Sequence, residues 1–199
     1  MSRVIGFSGA HGTGKTTLLT ALNLKNYSGV VVDTESMSRK VQKELNGADA
    51  TLESVVSDPA NVTRFQERIL TEKSLHIVQI LANTPAASTI LTDRTPVDCY
   101  AYARMWTERH KFTGWEHWLY TYWTSCIKDM HQYERIVLLP PAAFNFVSEG
   151  QRADQDTQQQ HASYCNDFID SIPLRNVHTV TSLSIEDRVS EMTSILQLF

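Results

Sequence analysis

The stretch GAHGTGKT at residues 9–16 matches the GxxxxGKT pattern of a phosphate-binding loop in full. The apolar residues 4–8 before it predict a buried strand, and residues 17–24 after it predict a helix. Glycines in such a loop let successive backbone N–H groups converge on an anion, and the N-terminus of the following helix adds to the positive field. The order of strand, loop and helix therefore predicts a binding site for the phosphates of a nucleotide.

Each residue type in the loop has an expected role. Lys15 is expected to reach the β- and γ-phosphates, and Thr16 to offer its hydroxyl to Mg²⁺. Gly12 and Gly14 are expected to let the backbone approach the phosphates closely. ATP and Mg²⁺ are the predicted cofactors, although the sequence leaves the choice between ATP and GTP open. The residues expected to bind the nucleotide are Gly9, His11, Gly12, Thr13, Gly14, Lys15, Thr16 and Thr17.

Predicted strands and helices alternate along the chain. The strands fall at residues 4–8, 29–32, 88–92, 135–139 and 177–180, and the helices at 17–24, 35–46, 61–82, from Pro96 onward, 115–130, 156–171 and 185–198. This alternation predicts an α/β fold of the P-loop NTPase type, with a five-stranded, mainly parallel sheet and helices on both faces. We expect a single domain over residues 1–199, with a lid at about 141–161.

Charged side chains follow two of the predicted strands. Asp33 and Glu35 come after the second strand, and Asp93 and Arg94 come after the third. The carboxyl ends of parallel strands open onto the ligand crevice, so Asp93 is expected to hold Mg²⁺ or to accept a proton. Its structural alternative is an N-cap for the helix that starts at Pro96. Arg94 is expected to neutralise a phosphate.

Composition narrows the classes of partner. The 199 residues are 42% hydrophobic and 20% charged, which are ordinary globular values, and the net charge of -4 provides no strong field for nucleic acid. Three cysteines without a CxxC pair, and no secretory segment, favour a cytoplasmic protein. No apolar run approaches the roughly 20 residues that span a bilayer, so no membrane partner is expected. The histidines lack a zinc-ligand spacing, and no structural metal is predicted.

Residues 93–102, DRTPVDCYAY, resemble the DRxxxDxxAY segment of a family of small phosphate-loop kinases. That family groups AAA-type ATPase-like domains with nicotinamide riboside kinase and with deoxynucleoside and thymidylate kinases. Further segments resemble the family in the same order, at residues 9–17, 35–39, 65–66, 138–141 and 150–152. The phosphate loop is the most specific of these matches, and the resemblance spans most of the chain.

The resemblance implies an ATP-dependent kinase that moves the γ-phosphoryl group to a hydroxyl of a nucleoside, nucleotide or nucleoside-like molecule. In related nucleoside kinases a carboxylate just past the second strand takes the acceptor's proton, and here Asp33 and Glu35 compete for that role. Glu35 has the alternative of pairing with Arg39. Arg152 is the implied lid arginine, although the chain departs from its relatives by following it with aspartates and glutamines. The implied catalytic residues are Lys15, Asp33, Glu35, Asp93, Arg94 and Arg152, and the implied metal ligands are Thr16 and Asp93.

Two other functions are left open. One is a kinase acting on a hydroxymethylated base within DNA, and the other is an NTP-binding regulatory ATPase. A free small-molecule acceptor is favoured over DNA because the chain has 18 Lys and Arg residues against 22 Asp and Glu residues. The sequence leaves open whether the protein forms a homodimer. The aromatic stripe from residue 115 to 130 is expected to serve the core, with one or two aromatic rings lining the acceptor pocket.

Overall fold

The computed structural model describes residues 2–46, 58–141, 155–172 and 176–197, which form five strands and seven helices. The strands are β1 (Arg3–Ser8), β2 (Val30–Asp33), β3 (Thr89–Asp93), β4 (Arg135–Leu138) and β5 (Val177–Thr179). The helices are α1 (Lys15–Leu24), α2 (Met37–Asn46), α3 (Pro59–Asn83), α4 (Pro96–Arg109), α5 (Glu116–Met130), α6 (Gln155–Asp170) and α7 (Ile185–Leu196).

The strands form one parallel sheet in the order β2-β3-β1-β4-β5. Phe7 of the central strand pairs in register with Asp93 of β3, and Thr92 pairs with Asp33 of β2. Parallel strands present their carboxyl ends at one edge, so Ser8, Asp93 and Asp33 meet there. The predicted α/β fold is confirmed, and every strand is parallel rather than most of them.

Helices cover both faces of the sheet because its strands bury side chains on both sides. On one face, Ile5 and Phe7 of β1 pack with α1 and α7. On the other face, Ile136 and Leu138 of β4 pack with α3, α4, α5 and α6. The two apolar layers therefore fix, from both sides, the edge of the sheet at the carboxyl ends of its strands.

The start of α4 packs directly on the central strand. A Cβ on Gly6 would lie 2.2 Å from Thr95 Cγ2, so only glycine allows this approach. Next to it, the hydroxyls of Ser8 and Thr95 share a hydrogen bond of 2.5 Å. The close approach places the first turn of α4 against the phosphate loop.

At two of the helix starts that differ from the predicted ones, a side chain accepts a nearby backbone N–H. The helix expected from residue 35 begins at Met37, since Asp33 Oδ1 accepts the Glu35 N–H at 3.1 Å and keeps Glu35 in a turn. The helix expected from residue 61 begins two residues earlier, where the Asp58 side chain accepts the Asn61 N–H.

The aromatic stripe of α5 serves the core as expected. Tyr122, Cys126 and Met130 are buried, and Trp118 stacks on Tyr122 with ring centroids 5.2 Å apart.

Of the predicted lid, residues 142–154 lie outside the described residues, and residues 155–161 form the first turns of α6. The lid role of Arg152 thus stays a prediction. Within the described ranges, no helix has both the length and the apolar character needed to cross a membrane.

Candidate active site

The phosphate loop adopts backbone conformations that require glycine. Gly9, Gly12 and Gly14 have positive φ angles of 141°, 82° and 89°. At Gly9, a Cβ would lie 2.3 Å from the Leu139 carbonyl oxygen, so a side chain would push the loop away from the end of β4. Helix α1 begins directly at Lys15 with no capping side chain. Its first N–H groups therefore point at the space where an anion would bind.

Lys15 is buried beneath the loop, with 4% of the residue exposed. Its Nζ donates hydrogen bonds of 2.7 Å to the carbonyl oxygens of Gly9 and Ala10, and one of 3.3 Å to Thr13 Oγ1. All three acceptors are uncharged. Burial and the positive charge of Arg94 lower the pKa of Lys15 to about 7. The phosphates of a nucleotide would supply the negative charge that favours the protonated form.

Thr16 and Asp93 form the second part of the donor site. Thr16 Oγ1 donates a 2.9 Å hydrogen bond to Asp93 Oδ2, joining the loop to the end of β3. The other carboxylate oxygen, Asp93 Oδ1, is buried and has no hydrogen-bond partner among the described residues. Buried carboxylate oxygens rarely lack a partner, so this atom suits a bound cation.

The alternative role of Asp93 as a helix cap is wrong. Thr95 is the N-cap of α4, and its side chain accepts the Val97 N–H. Asp98 completes the capping box by accepting the Thr95 N–H at 3.0 Å. Asp93 lies two residues before this cap, so its carboxylate is available to the loop.

Arg94 and Asp98 hold the phosphate loop in place through hydrogen bonds. Arg94 has a φ of 68°, and its guanidinium donates to the Gly9 carbonyl at 2.7 Å and to Asp98 Oδ1 at 2.9 Å. It also lies over the Tyr102 ring, 5.2 Å from the centroid. Burial raises the pKa of Asp98, but the charges of Arg94 and Lys15 outweigh it and lower that pKa overall. Asp98 therefore stays charged and holds the Arg94 guanidinium in position.

Two distant helices also hold the loop. Arg188 of α7 donates to the Thr13 carbonyl at 2.9 Å, and Gln158 of α6 donates to the His11 carbonyl at 2.7 Å. Thr17, in the first turn of α1, is exposed at the same edge. The loop is thus built by its own sequence and anchored by residues more than 140 positions away.

A second polar cluster lies at the end of β2. Asp33 Oδ1 contacts His76 Nε2 at 3.0 Å and accepts the Glu35 N–H at 3.1 Å. Asp33 Oδ2 accepts from Thr92 Oγ1 at 2.8 Å and from Lys73 Nζ at 3.4 Å. Burial raises the pKa of Asp33, but Lys73 and the hydrogen bonds lower it overall. Both oxygens of this charged carboxylate are occupied.

Glu35 differs from Asp33 in being accessible. Half of the Glu35 side chain is exposed, at 50%, against 8% for Asp33. Within the described residues, the Glu35 carboxylate contacts His76 Nε2, at 3.5 Å, rather than Arg39. The sequence left Asp33, Glu35 and Asp93 open as the acceptor's base. Of the two carboxylates at the end of β2, the contacts favour Glu35 for a ligand-facing role.

Sequence reasoning missed Lys73 and His76. A signal was present, because Lys73 lies on the buried stripe of α3 between Leu70 and Ile77. A lysine on an apolar helix face is rarely buried without a partner, and here the partner is Asp33.

Metal ligands can be assigned by comparing three sets of side chains. Among the residues that the structure describes, two groups have ligating atoms within 4.8 Å of one another: Asp33, Glu35 and His76, and Asp98, His161 and Cys165. In each of these, the buried aspartate is already paired with a cation, Asp33 with Lys73 and Asp98 with Arg94. The hard oxygens of Thr16 and Asp93, with Asp93 Oδ1 unpartnered, fit Mg²⁺ better.

Comparisons with known proteins identify a family and a shared fold. A family model described as an AAA domain matches residues 4–188. The chain matches no curated protein sequence. Deoxyadenosine kinase from M. mycoides, solved with bound dATP, is similar with a TM-score of 0.65 and 14% sequence identity, covering 98% of this chain and 99% of that chain.

Two thymidylate kinase structures are similar to a comparable degree. The enzyme from Ehrlichia chaffeensis gives a TM-score of 0.61 at 15% identity and covers 98% of this chain and 99% of its own. The enzyme from Candida albicans gives 0.63 at 15% identity and covers 98% and 91%. At such low identity the likeness shows a shared fold, that of small phosphate-loop nucleoside and nucleotide kinases.

Proposed function

We propose, because this chain belongs to the AAA domain family, that it is an ATP-dependent phosphotransferase. It moves the γ-phosphoryl group to a hydroxyl of a nucleoside, a nucleotide or a nucleoside-like small molecule. The fold supports this proposal, since deoxyadenosine and thymidylate kinases share it. The acceptor is the part of the proposal that rests on the side chains at the end of β2.

One observation carries the proposal. Thr16 Oγ1 bonds Asp93 Oδ2 at 2.9 Å, beside the buried and unpartnered Asp93 Oδ1 and next to the phosphate loop. This pairing of a loop hydroxyl with a carboxylate at a strand end is typical of magnesium sites in phosphate-loop enzymes. Thr16 and Asp93 would hold Mg²⁺, which when bound neutralises charge on the β- and γ-phosphate oxygens.

The donor nucleotide binds along the loop. The N–H groups at the start of α1 hold its phosphates, and Lys15 turns its ammonium from the carbonyls of Gly9 and Ala10 to the β- and γ-phosphates. Arg94 keeps the loop in shape through the Gly9 carbonyl. The resemblance to small phosphate-loop kinases gives Arg152, which lies outside the described residues, a charge-neutralising role toward the phosphates.

The transfer step needs a base for the acceptor. The acceptor oxygen forms a bond to the γ-phosphorus, and the bond from that phosphorus to the β–γ bridging oxygen breaks. ADP leaves with the electron pair, and the proton of the acceptor hydroxyl passes to a Glu35 oxygen. Asp33 does not take this proton, because its two oxygens already accept from four neighbours. Catalysis comes from positioning and from charge stabilisation.

The test is transfer of label from γ-labelled ATP. Acceptors are nucleosides, nucleoside monophosphates, nicotinamide riboside and oligonucleotides with hydroxymethylated bases, with water alone as the blank. We expect labelled product with at least one free small molecule. Label released only as inorganic phosphate would support a regulatory ATPase, and label in the oligonucleotide alone would support a DNA-base kinase.

Two matched variants test the base. Glu35→Gln keeps the shape of the side chain and removes the proton acceptor, so we expect kcat to fall about 100-fold or more. Glu116→Gln makes the same change at an exposed position at the start of α5 and should leave kcat unchanged. Equal kcat in the Glu35 variant and the wild type would remove Glu35 from the reaction.

A further inference from the structure

Helix α3 directs two side chains, one turn apart, at the end of β2. Lys73 Nζ lies 3.4 Å from Asp33 Oδ2, and His76 Nε2 lies 3.0 Å from Asp33 Oδ1. The same His76 nitrogen is 3.5 Å from Glu35 Oε2. A single imidazole atom therefore faces a buried carboxylate and an accessible one.

We propose that His76 is a positioning residue for phosphoryl transfer, which fixes the Glu35 carboxylate for the acceptor hydroxyl. Asp33 in turn fixes the imidazole of His76. This inference rests on the proposed function, because it assigns a purpose to Glu35 in that same reaction.

The contacts of Glu35 show why it needs such a residue. Its side chain is half exposed, and the residue lies between the end of β2 and the start of α2, so several rotamers are open to the side chain. The polar contact that restrains the carboxylate among the described residues is His76 Nε2. With Oε2 held there, Oε1 would remain for the acceptor hydroxyl. A base displaced by about 1 Å can lose about 100-fold in rate.

His76 is itself held on its inner side. Asp33 is buried and remains charged beside Lys73, so it is a fixed acceptor for the imidazole. Lys73 Nζ also donates to the Asp93 carbonyl at 2.9 Å, on the strand that carries the proposed magnesium ligand. Glu35 and Asp93 are thus tied to one another through His76, Asp33 and Lys73. This series of contacts would set the distance between the acceptor hydroxyl and the donor nucleotide.

His76 exchanges no proton in the transfer step. Its Nε2 stays 3.0 Å from Asp33 Oδ1 and 3.5 Å from Glu35 Oε2, and the acceptor's proton goes to Glu35 as the bond to phosphorus forms. The role therefore needs a hydrogen-bond donor at the place of Nε2 and does not need an imidazole. Glutamine can place an amide N–H there, whereas alanine cannot.

The test is a double-mutant cycle on kcat, using the acceptor found in the label-transfer screen. We expect His76→Ala to lower kcat about 10- to 100-fold while the KM of the acceptor changes less than about threefold. His76→Gln should recover about tenfold of that loss because it keeps the donor. In the Glu35→Gln background, His76→Ala should change kcat less than about twofold, since the base it positions is already absent.

The control is His178→Ala, which removes a different histidine that contacts a glutamate, at 2.6 Å from Glu191 and remote from β2. Its kcat should match the wild type. Additive losses from His76→Ala and Glu35→Gln, or no recovery with His76→Gln, would overturn the positioning role while the wild type still transfers label. A wild type that labels no acceptor would instead overturn the proposed function, and the inference with it.

Discussion

Lys15 and Lys73 are two buried lysines with different surroundings. They expose 4% and 3% of their surface, and burial lowers the pKa of both. Lys15 donates to two loop carbonyls and a hydroxyl, all uncharged. Lys73 faces the Asp33 carboxylate at 3.4 Å. Of these two lysines, only Lys73 has a carboxylate at ion-pair distance within the described residues.

The difference separates a ligand-binding cation from a structural one. A buried ammonium without a carboxylate is stabilised when a ligand brings negative charge to it. A buried ammonium that is already paired stabilises the fold, and removing it leaves its partner as an uncompensated charge. We therefore expect the same substitution, lysine to methionine, to affect activity at one position and stability at the other.

The largest expected effect is that of Lys15→Met on activity. Loss of the ammonium should lower kcat/KM by at least about a thousandfold, because charge on the transferring phosphoryl group is no longer neutralised. The midpoint of thermal unfolding should not fall, since the Lys15 ammonium donates to uncharged oxygens and buried Asp98 keeps its ion pair with Arg94 when Lys15 is replaced. Lys25→Met, at the exposed far end of α1, is the control and should behave as wild type. Near-normal turnover in Lys15→Met would mean that the loop is not the donor site.

Lys73→Met should have the next largest effect, on stability. It leaves the Asp33 carboxylate buried without its cation, which costs about 3 kcal/mol or more in the free energy of unfolding. Urea unfolding measures this directly. The double variant Asp33→Asn with Lys73→Met should recover at least half of the loss, because no buried charge is left. A single variant as stable as the wild type would show that the pair does not hold the fold.

A smaller effect is expected for Asp93→Asn. The variant keeps the shape of the side chain but loses the charge that would hold Mg²⁺, so kcat should fall about 100-fold at ordinary Mg²⁺ concentrations. The Mg²⁺ concentration needed for half-maximal rate should rise, as a titration of rate against Mg²⁺ would show. Asp170→Asn, at the exposed end of α6, is the matched control. An unchanged Mg²⁺ requirement would exclude Asp93 as a ligand.

The phosphate loop could be predicted because its information is local. Gly9 to Thr16 specify their own backbone conformations, and the flanking strand and helix follow in the chain. The parallel sheet followed from the same alternation of short apolar runs and helical periods. Asp93 was also predicted, since it ends a strand that has to lie beside β1.

The cluster around Asp33 could be predicted only in part. Lys73 and His76 lie 40 and 43 positions further along the chain, so no local pattern joins them to Asp33. The choice between Asp33 and Glu35 depends on which carboxylate α3 covers. That is decided by packing between helices rather than by the residues next to either carboxylate.

The most direct test of the account is proton uptake when ATP binds without an acceptor. Because the pKa of free Lys15 is about 7, the amine is mostly neutral at about pH 8, and the phosphates should raise that pKa and draw in a proton. Affinity should therefore fall as pH rises above about 7, by up to about tenfold per unit. Calorimetric titrations at about pH 8, in two buffers of different ionisation enthalpy, should give about half to one proton taken up by the wild type and none by Lys15→Met. Tight ATP binding without proton uptake in the wild type would contradict the assignment of Lys15 as the cation reserved for the nucleotide.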